Sequence, residues 1–424
     1  MRFLLVFLFF TANLKAQYYY PPVSGSQWDT VSPASLGWCI SELDTLSDFL
    51  EATNGKGFII LHKGKIAYEE YFGTFQQDSV WYWASAGKAL TAFLVGMAQE
   101  QGLLNIDDKT SDYLGTGWTS APTAKENLIT IRQQLQMTTG LDYTVPDLDC
   151  VADTCLLYRN DAGTHWYYHN APYRLLQDVV VSTTNLTYNQ FTAQQLGTST
   201  GITGFWFNYL FLSKARSMAR FGLLALSEGR WNGTPILADT AYFNDMVTPS
   251  QNLNEAYGYL WWLNGQPTFK QPGTDIVFNG PIIPSAPADL YMAAGKNDQR
   301  IYVVPSEDLV VVRIGNAADQ SLLALSGFDD ELWRLLGSLI CHNTSQVNYK
   351  PGELKVLPNP ATDHFYIEPW VAGMEVEIYN LHGQRIKVAK PENGRVDISH
   401  LRRGAYLIMW QNRGEKAVSR LLVP

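Results

Sequence analysis

Apolar and polar residues alternate along the chain in two different periods, and the switches between them divide it into elements. From Gly57 the pattern is extended: Gly57-Phe58-Ile59-Ile60-Leu61-His62, a Lys63-Gly64-Lys65 break, then Ile66-Ala67-Tyr68-Glu69-Glu70-Tyr71-Phe72. Two such runs about a glycine turn predict a β-hairpin. Residues 85–102 repeat apolar positions at helical spacing, and Gly102 supplies a stop. Asn170-Ala171-Pro172 predicts a second helix, with Asn170 as N-cap and proline in the first turn. Ser213–Ser227, ended by Gly229, predicts a third. Residues 299–315 read as another hairpin about a Pro-Ser-Glu-Asp turn, and helical patterns also cover Ile40–Leu50 and Asp329–Cys341.

Strands at both ends of a helical middle predict an α/β (α+β) fold. Its antiparallel sheet takes one hairpin from each end of the domain, with covering helices and a helical subdomain. Residues 343–353 have linker composition, and the texture then changes. Short strands follow at His364–Glu368, Val376–Asn380 and Tyr406–Trp410, separated by turn signals, which predicts a small β-sandwich. The expected division is a leader at 1–16, a large domain at 17–345, a linker at 346–354 and a β-sandwich at 355–424.

The leader expectation rests on Met1-Arg2, an apolar run from Phe3 to Phe10 and a small residue at Ala16, the pattern of a secretory signal peptide. No other stretch is apolar enough to span a membrane. Export changes the reading of the cysteines. Cys39, Cys150, Cys155 and Cys341 are even in number and allow three pairings. Cys150 and Cys155 could close a local loop, and Cys39 with Cys341 would tie the start of the large domain to its end. The spacings and the scattered histidines do not make a zinc site, and no metal or cofactor is expected. The net charge of −9 gives no electrostatic support for a nucleic-acid partner, and the tail runs against it, with Lys and Arg outnumbering Asp and Glu ten to seven over 355–424.

The candidate chemistry starts at Trp83-Ala84-Ser85-Ala86-Gly87-Lys88. Positions i and i+3 share a helix face, so an amine can sit beside a hydroxyl without any histidine. A serine hydroxyl needs a base, and a lysine desolvated by apolar neighbours can be that base. A proton must also reach the leaving group, and Tyr168-His169-Asn170 is the candidate relay. A neighbouring ammonium would lower the Tyr168 pKa, and Asn170 could bond both the lysine and a substrate carbonyl. The oxyanion needs two donors: the Ser85 N–H at a helix start and one at a strand end lined by small residues, for which Ala293-Ala294-Gly295-Lys296 fits. A Ser-His-Asp site fits less well. Its elbow needs glycine on both sides of the serine, but Trp83 occupies the earlier place, and His165, His169 and His342 lack a suitable context. Trp81, Tyr82, Trp83, Trp261 and Trp262 are expected mainly in the core, with one or two lining the acyl pocket.

The order S-x-x-K, Y-x-N and small-x-Gly resembles the penicillin-recognising serine hydrolases, which include class C β-lactamases, D-Ala-D-Ala carboxypeptidases and related esterases and amide hydrolases. Met137-Thr138-Thr139-Gly140-Leu141, Ala219-Arg220-Phe221-Gly222 and Tyr257-Gly258-Tyr259 support the resemblance, which covers roughly residues 40–340. It implies a β-lactamase/transpeptidase-like fold with Ser85 as acylated nucleophile, Lys88 as base, Tyr168 as second proton relay and Asn170 as orienter. It further implies an oxyanion hole at Ser85 and Gly295-Lys296. One departure narrows it: where relatives often carry a cation, this strand has Ala293-Ala294-Gly295. That favours an ester or neutral amide over a β-lactam or peptidoglycan peptide, unless Lys296 or Arg300 compensates. The resulting expectation is a serine hydrolase acting on a small ester, amide or peptide. The alternatives are a β-lactamase or carboxypeptidase, and a non-catalytic acylated sensor or binding protein.

The tail is similar to type A C-terminal sorting domains of type IX secretion, on the residues Pro358-Asn359-Pro360, Val376–Asn380 with Gly383, and Gly404-Ala405-Tyr406-Leu407. That implies the type IX machinery as a partner and a secreted or outer-membrane-surface location.

Overall fold

The computed structural model describes residues 18–318, 325, 327–341, 355–368, 375–380, 384–391, 393–412 and 415–424. The expected leader at 1–16 and linker at 346–354 lie outside these residues.

The two predicted hairpins form, at β1 (Gly55–His62) and β2 (Lys65–Tyr71), and at β8 (Gln299–Val304) and β9 (Leu309–Gly315). Two further strands, β6 (Trp262–Leu263) and β7 (Tyr291–Gly295), complete a 6-stranded antiparallel sheet in the order β2-β1-β9-β8-β7-β6. The ends of the domain meet at its centre, where Ile59 pairs with Val312.

Both faces of this sheet are covered, which is why β8 and β9 read as nearly unbroken apolar runs. Side chains alternate faces along a strand. On one face Val310 and Ile301 meet helix α4 (Ala215–Leu226) so closely that a Cβ at Gly222 would lie 2.4 Å from the Val310 side chain. On the other face Tyr302 packs edge-on against Trp333, and Arg313 lies 4.8 Å from the Phe328 ring, both rings on α5 (Gly327–Leu339). Helix α1 (Leu43–Ala52) stacks Phe49 on Phe328 beside it. The Cys39–Cys341 disulfide, with Cα atoms 5.5 Å apart, fastens this layer. Cys150 and Cys155 form the second disulfide.

Helix α2 (Gly87–Glu100) is buried from Gly87 to Ala98, so it is apolar all round rather than on one stripe. Three boundaries differ from the sequence expectation. Ser85 occupies a 3-10 turn (Ala84–Ala86) ahead of α2. The helix expected from Ser213 begins at Ala215, because Ser213 ends strand β5 (Leu210–Ser213). Helix α3 spans Asn170–Ser182 with His169 in the cap position, so Asn170 is its first helical residue rather than its cap. Strand β5 also belongs to a three-stranded sheet that periodicity did not reveal, between β3 (Trp81–Tyr82) and β4 (Phe205–Phe207).

The tail builds two antiparallel sheets of its own. Strands Lys355–Leu357, His364–Glu368 and Arg395–Asp397 make one, and Val376–Asn380, Arg385–Ala389, Gly404–Asn412 and Glu415–Val423 make the other. Phe365, Ile367, Ile378, Val396, Ile408 and Leu421 form its core.

Candidate active site

Strand β3 delivers the chain to Ser85. Ala84 turns it with a left-handed φ of 50°, a conformation that costs a non-glycine residue energy and persists where the surroundings hold it. The surroundings here are the Trp83 indole, which donates to Ser213 Oγ at 2.6 Å, and the Trp83 N–H, which donates to the Phe211 carbonyl at 2.8 Å. Ser85 is half-buried, and Lys88, one turn on, places Nζ 2.8 Å from its Oγ.

Lys88 is fully buried among α2, Tyr168 and Tyr173, with Nζ 3.9 Å from the centre of the Tyr173 ring and 4.7 Å from that of Tyr168. Burial holds its amine well below the ordinary lysine range; Asp149 works against this, and Arg174 adds to it. Stripping water from an amine penalises only its charged form. Burial therefore weakens the charged form of this amine relative to the neutral one.

Tyr168 is held by backbone contacts around the Met137–Leu141 segment. The neighbouring Tyr167 N–H donates to the Met137 carbonyl at 3.0 Å, and Gln134 Nε2 donates to the Pro172 carbonyl at 2.6 Å at the start of α3. Trp262 stacks on the Tyr168 ring at 5.8 Å, and Tyr257 stands edge-on to Trp262 at 4.8 Å. Burial raises the Tyr168 pKa, and a hydrogen bond with Ser85 pulls against it. The expected lowering by a lysine ammonium is not the dominant influence, since burial acts on both groups and favours both neutral forms. Tyr168 is thus a phenol, not a phenolate. His169 is buried and held neutral, its pKa lowered to about 4.

The strand end expected to supply the second oxyanion donor reaches the serine turn. A Cβ on Gly295 would lie 2.4 Å from the Trp83 carbonyl and 2.9 Å from the Ala86 nitrogen, so only glycine allows this approach. Lys296 begins the following turn (Lys296–Asp298), and its side chain is exposed. Arg300 cannot replace the missing strand cation. Its guanidinium is fully buried, bonds Asp329 at 2.6 Å and Asp298 at 3.0 Å, and donates to the Gly295 carbonyl at 2.7 Å. It braces the strand end instead of facing a ligand.

The structure thus brings Ser85, Lys88 and Tyr168 together and sets Gly295 against them. Asn170 lies two residues beyond Tyr168, and its Oδ1 is buried with no hydrogen-bond partner among the described residues. Tyr173 and the Asp149–Arg174 pair escaped the sequence reading, and Tyr257 entered it only within a supporting segment, with no role at the site. Tyr173 carried one usable signal, its place one helical turn after Asn170. Trp262 lines the site, whereas its neighbour Trp261 packs in the core against Phe221 and Tyr291. Among the described residues no cluster of His, Cys, Asp and Glu could hold a metal, and no helix is long and apolar enough to cross a membrane.

Comparison with known proteins bears on the domains and the fold. Residues 44–210 match the Beta-lactamase family model, and residues 355–424 match the model of the Secretion system C-terminal sorting domain. An uncharacterised protein of Alkalihalophilus pseudofirmus is 24% identical over 307 residues, which is 62% of this chain and 84% of that protein. Among solved structures, a Bacillus anthracis protein provisionally assigned as a 6-aminohexanoate-dimer hydrolase superposes with a TM-score of 0.57 at 16% identity, covering 75% of this chain and 88% of that one. A provisionally assigned beta-lactamase of Bacteroides dorei gives 0.56 at 14% identity, covering 72% and 99%. A class C beta-lactamase of Rhodobacter sphaeroides gives 0.51 at 16% identity, also covering 72% and 99%. At these identities the superpositions speak to the fold, which is that of the β-lactamase and penicillin-binding-protein-like serine hydrolases. The chain therefore carries a beta-lactamase family domain and, behind it, a C-terminal sorting domain that directs it by type IX secretion to the cell surface or beyond.

Proposed function

We propose that the protein is a secreted serine hydrolase that cleaves an ester or neutral amide bond through an acyl-Ser85 intermediate. The observation that carries this reading is the 2.8 Å approach of a fully buried Lys88 amine to Ser85 Oγ. A neutral amine has a lone pair to accept the hydroxyl proton as Oγ attacks the substrate carbonyl carbon. The carbonyl oxygen takes the displaced electron pair and rests on the N–H groups of Ser85 and Lys296. The Tyr168 phenol gives its proton to the leaving oxygen or nitrogen as that bond breaks, and recovers one from the Lys88 ammonium. The unpartnered Asn170 Oδ1 accepts from that ammonium or from a substrate N–H. Water then attacks the acyl carbon, its proton passing to the same base; the bond from that carbon to Ser85 Oγ breaks, Oγ takes the proton back, and the acid leaves.

The strand Ala293-Ala294-Gly295 offers no cation for a substrate carboxylate, and Arg300 is engaged with Asp329 and Asp298. This supports an ester or neutral amide rather than a β-lactam. A fluorophosphonate probe should label the wild-type protein and spare Ser85→Ala. Product release should be steady, and p-nitrophenyl esters should turn over faster than nitrocefin. Labelling that survives Ser85→Ala would remove Ser85 from the chemistry. A labelled protein that releases no product would be an acylated sensor instead.

A further inference from the structure

Beside the candidate site stands a hairpin whose outer face is partly exposed among the described residues. Strand β5 pairs with β3, whose last residue precedes Ser85 by three, and with β4. Tyr82 lies opposite Leu212, Leu212 opposite Phe205, and Leu210 opposite Phe207. Directly paired residues and residues two apart share a face, so these five side chains line one side of the sheet. The other side carries Trp206 and Phe211, which pack on each other at 5.0 Å, while Phe211 meets Trp83 at 5.1 Å. That inner face accounts for the folding of the hairpin. On the outer face Phe205 is 49% and Phe207 64% exposed, and Val80, just before β3, is 46% exposed.

The position of this face joins it to the chemistry. At one end Asn297 Nδ2 donates to the Tyr82 hydroxyl at 2.6 Å, and Asn297 directly follows Lys296. At the other end the Tyr209 hydroxyl donates to Asp178 at 3.3 Å, and the Arg174 guanidinium lies 5.5 Å from the Tyr209 ring. Arg174 and Asp178 both belong to α3, the helix that opens with Asn170. The face thus reaches from the oxyanion strand to the Tyr-x-Asn helix. Its strands β4 and β5 are themselves uncharged, since no Asp, Glu, Lys or Arg occurs between Asp178 and Lys214. Apolar surface of this kind, on a sheet whose first strand leads into Ser85, suits an apolar group on the substrate.

We infer that the row Tyr82, Leu212 and Phe205, extended by Leu210 and Phe207, is an acyl-chain platform, and that the preferred substrates carry an uncharged aliphatic or aromatic acyl group. This rests on the serine-hydrolase reading and names its substrate class. The row spans two strand spacings, about 10 Å, which suits a chain of medium length.

The test is a series of p-nitrophenyl acetate, butyrate, hexanoate and octanoate with the full secreted chain. In the wild type kcat/KM should rise by about twofold per methylene for a chain covered on one side, against about fourfold for full enclosure. Phe207→Ser and Phe205→Ser/Phe207→Ser should flatten that rise, while Ile386→Ser on the sorting domain keeps it. Both phenylalanines are exposed, so the variants should melt with the wild type. Equal slopes in wild type and variants overturn the platform but leave the hydrolase reading standing if Ser85→Ala is inactive on the acetate. A wild type that hydrolyses none of the series and takes no fluorophosphonate overturns both. Equal slopes with a dimer lost in the double variant on gel filtration would assign the face to a second copy. Equal slopes with phosphatidylethanolamine vesicle binding lost in the double variant would assign it to lipid. Either result overturns the platform.

Discussion

Replacing Lys88 with methionine should make the protein more stable and inactive at once. The substitution keeps most of the apolar stem and removes the amine. Burial holds that amine well below the ordinary lysine range, while the unfolded chain titrates near a pKa of about 10.4. Between these two values the unfolded state binds one more proton than the folded state, so wild-type stability rises with pH. Below the folded value both states are protonated and the full penalty stays. One proton corresponds to a slope of about 1.4 kcal/mol per pH unit. Attraction of a protonated amine to the Tyr173 ring returns about 0.5–2 kcal/mol, and burial still leads the balance. The Lys88→Met variant has no such group, so its advantage should shrink as pH rises toward about pH 10. In melting temperature this is roughly 3 °C per pH unit for a domain of this size. Thermal melts of both proteins between about pH 7 and pH 10 measure it. Ester hydrolysis should fall about 10²–10⁴-fold in the variant, and wild-type kcat/KM should decline as falling pH protonates the lysine. A variant that is less stable throughout, or a difference that does not vary with pH, would mean that the folded protein carries a charged lysine. Lys88 would then not be the base.

The remaining predictions concern the proton relay, the strand approach, the disulfides and the tail. Tyr168→Phe should slow an ethyl ester far more than a p-nitrophenyl ester, because only the poorer leaving group needs a proton; equal losses on both would deny Tyr168 that role. Gly295→Ala places a Cβ 2.4 Å from the Trp83 carbonyl, so it should lower kcat by at least about 10²-fold. It should also destabilise the fold by about 1–3 kcal/mol, and wild-type kinetics would show that the strand end lies elsewhere. The Cys39–Cys341 bridge spans 302 residues and the Cys150–Cys155 bridge 5. Loop entropy then predicts that replacing the first pair with serine costs roughly 5–6 kcal/mol and the second about 2, and denaturant melts that reverse this order would refute the estimate. Deleting residues 355–424 should block export while purified protein keeps its esterase activity; lost activity in the purified fragment would make the tail part of the enzyme.

Much of this protein is legible in one dimension. Hairpins at 57–72 and 299–315 follow from strand periodicity, and α2 and α3 from helical spacing, because these signals are local. The Ser85–Lys88 pair is local too, since one helical turn suffices to bring the two groups together. Ordered spacing extended it to Tyr168 and Gly295, which marked the site without building it.

What only the tertiary structure decided is the state and the surroundings of those groups. The Lys88 pKa is lowered because α2, Tyr168 and Tyr173 close around the amine, and desolvation is a property of the packed interior rather than of any segment. The same burial keeps Tyr168 a phenol, where sequence reasoning expected a nearby charge to lower its pKa. Arg300 looked available beside Gly295 and proved to be bound by Asp329, a partner on a helix that no local pattern connects to it. The apolar face of Phe205 and Phe207 had no sequence signal, because which side of a short strand is covered depends on what packs against it. Sequence determined which residues could react. The folded chain determined which of them are buried, which come within bonding distance and which brace the others.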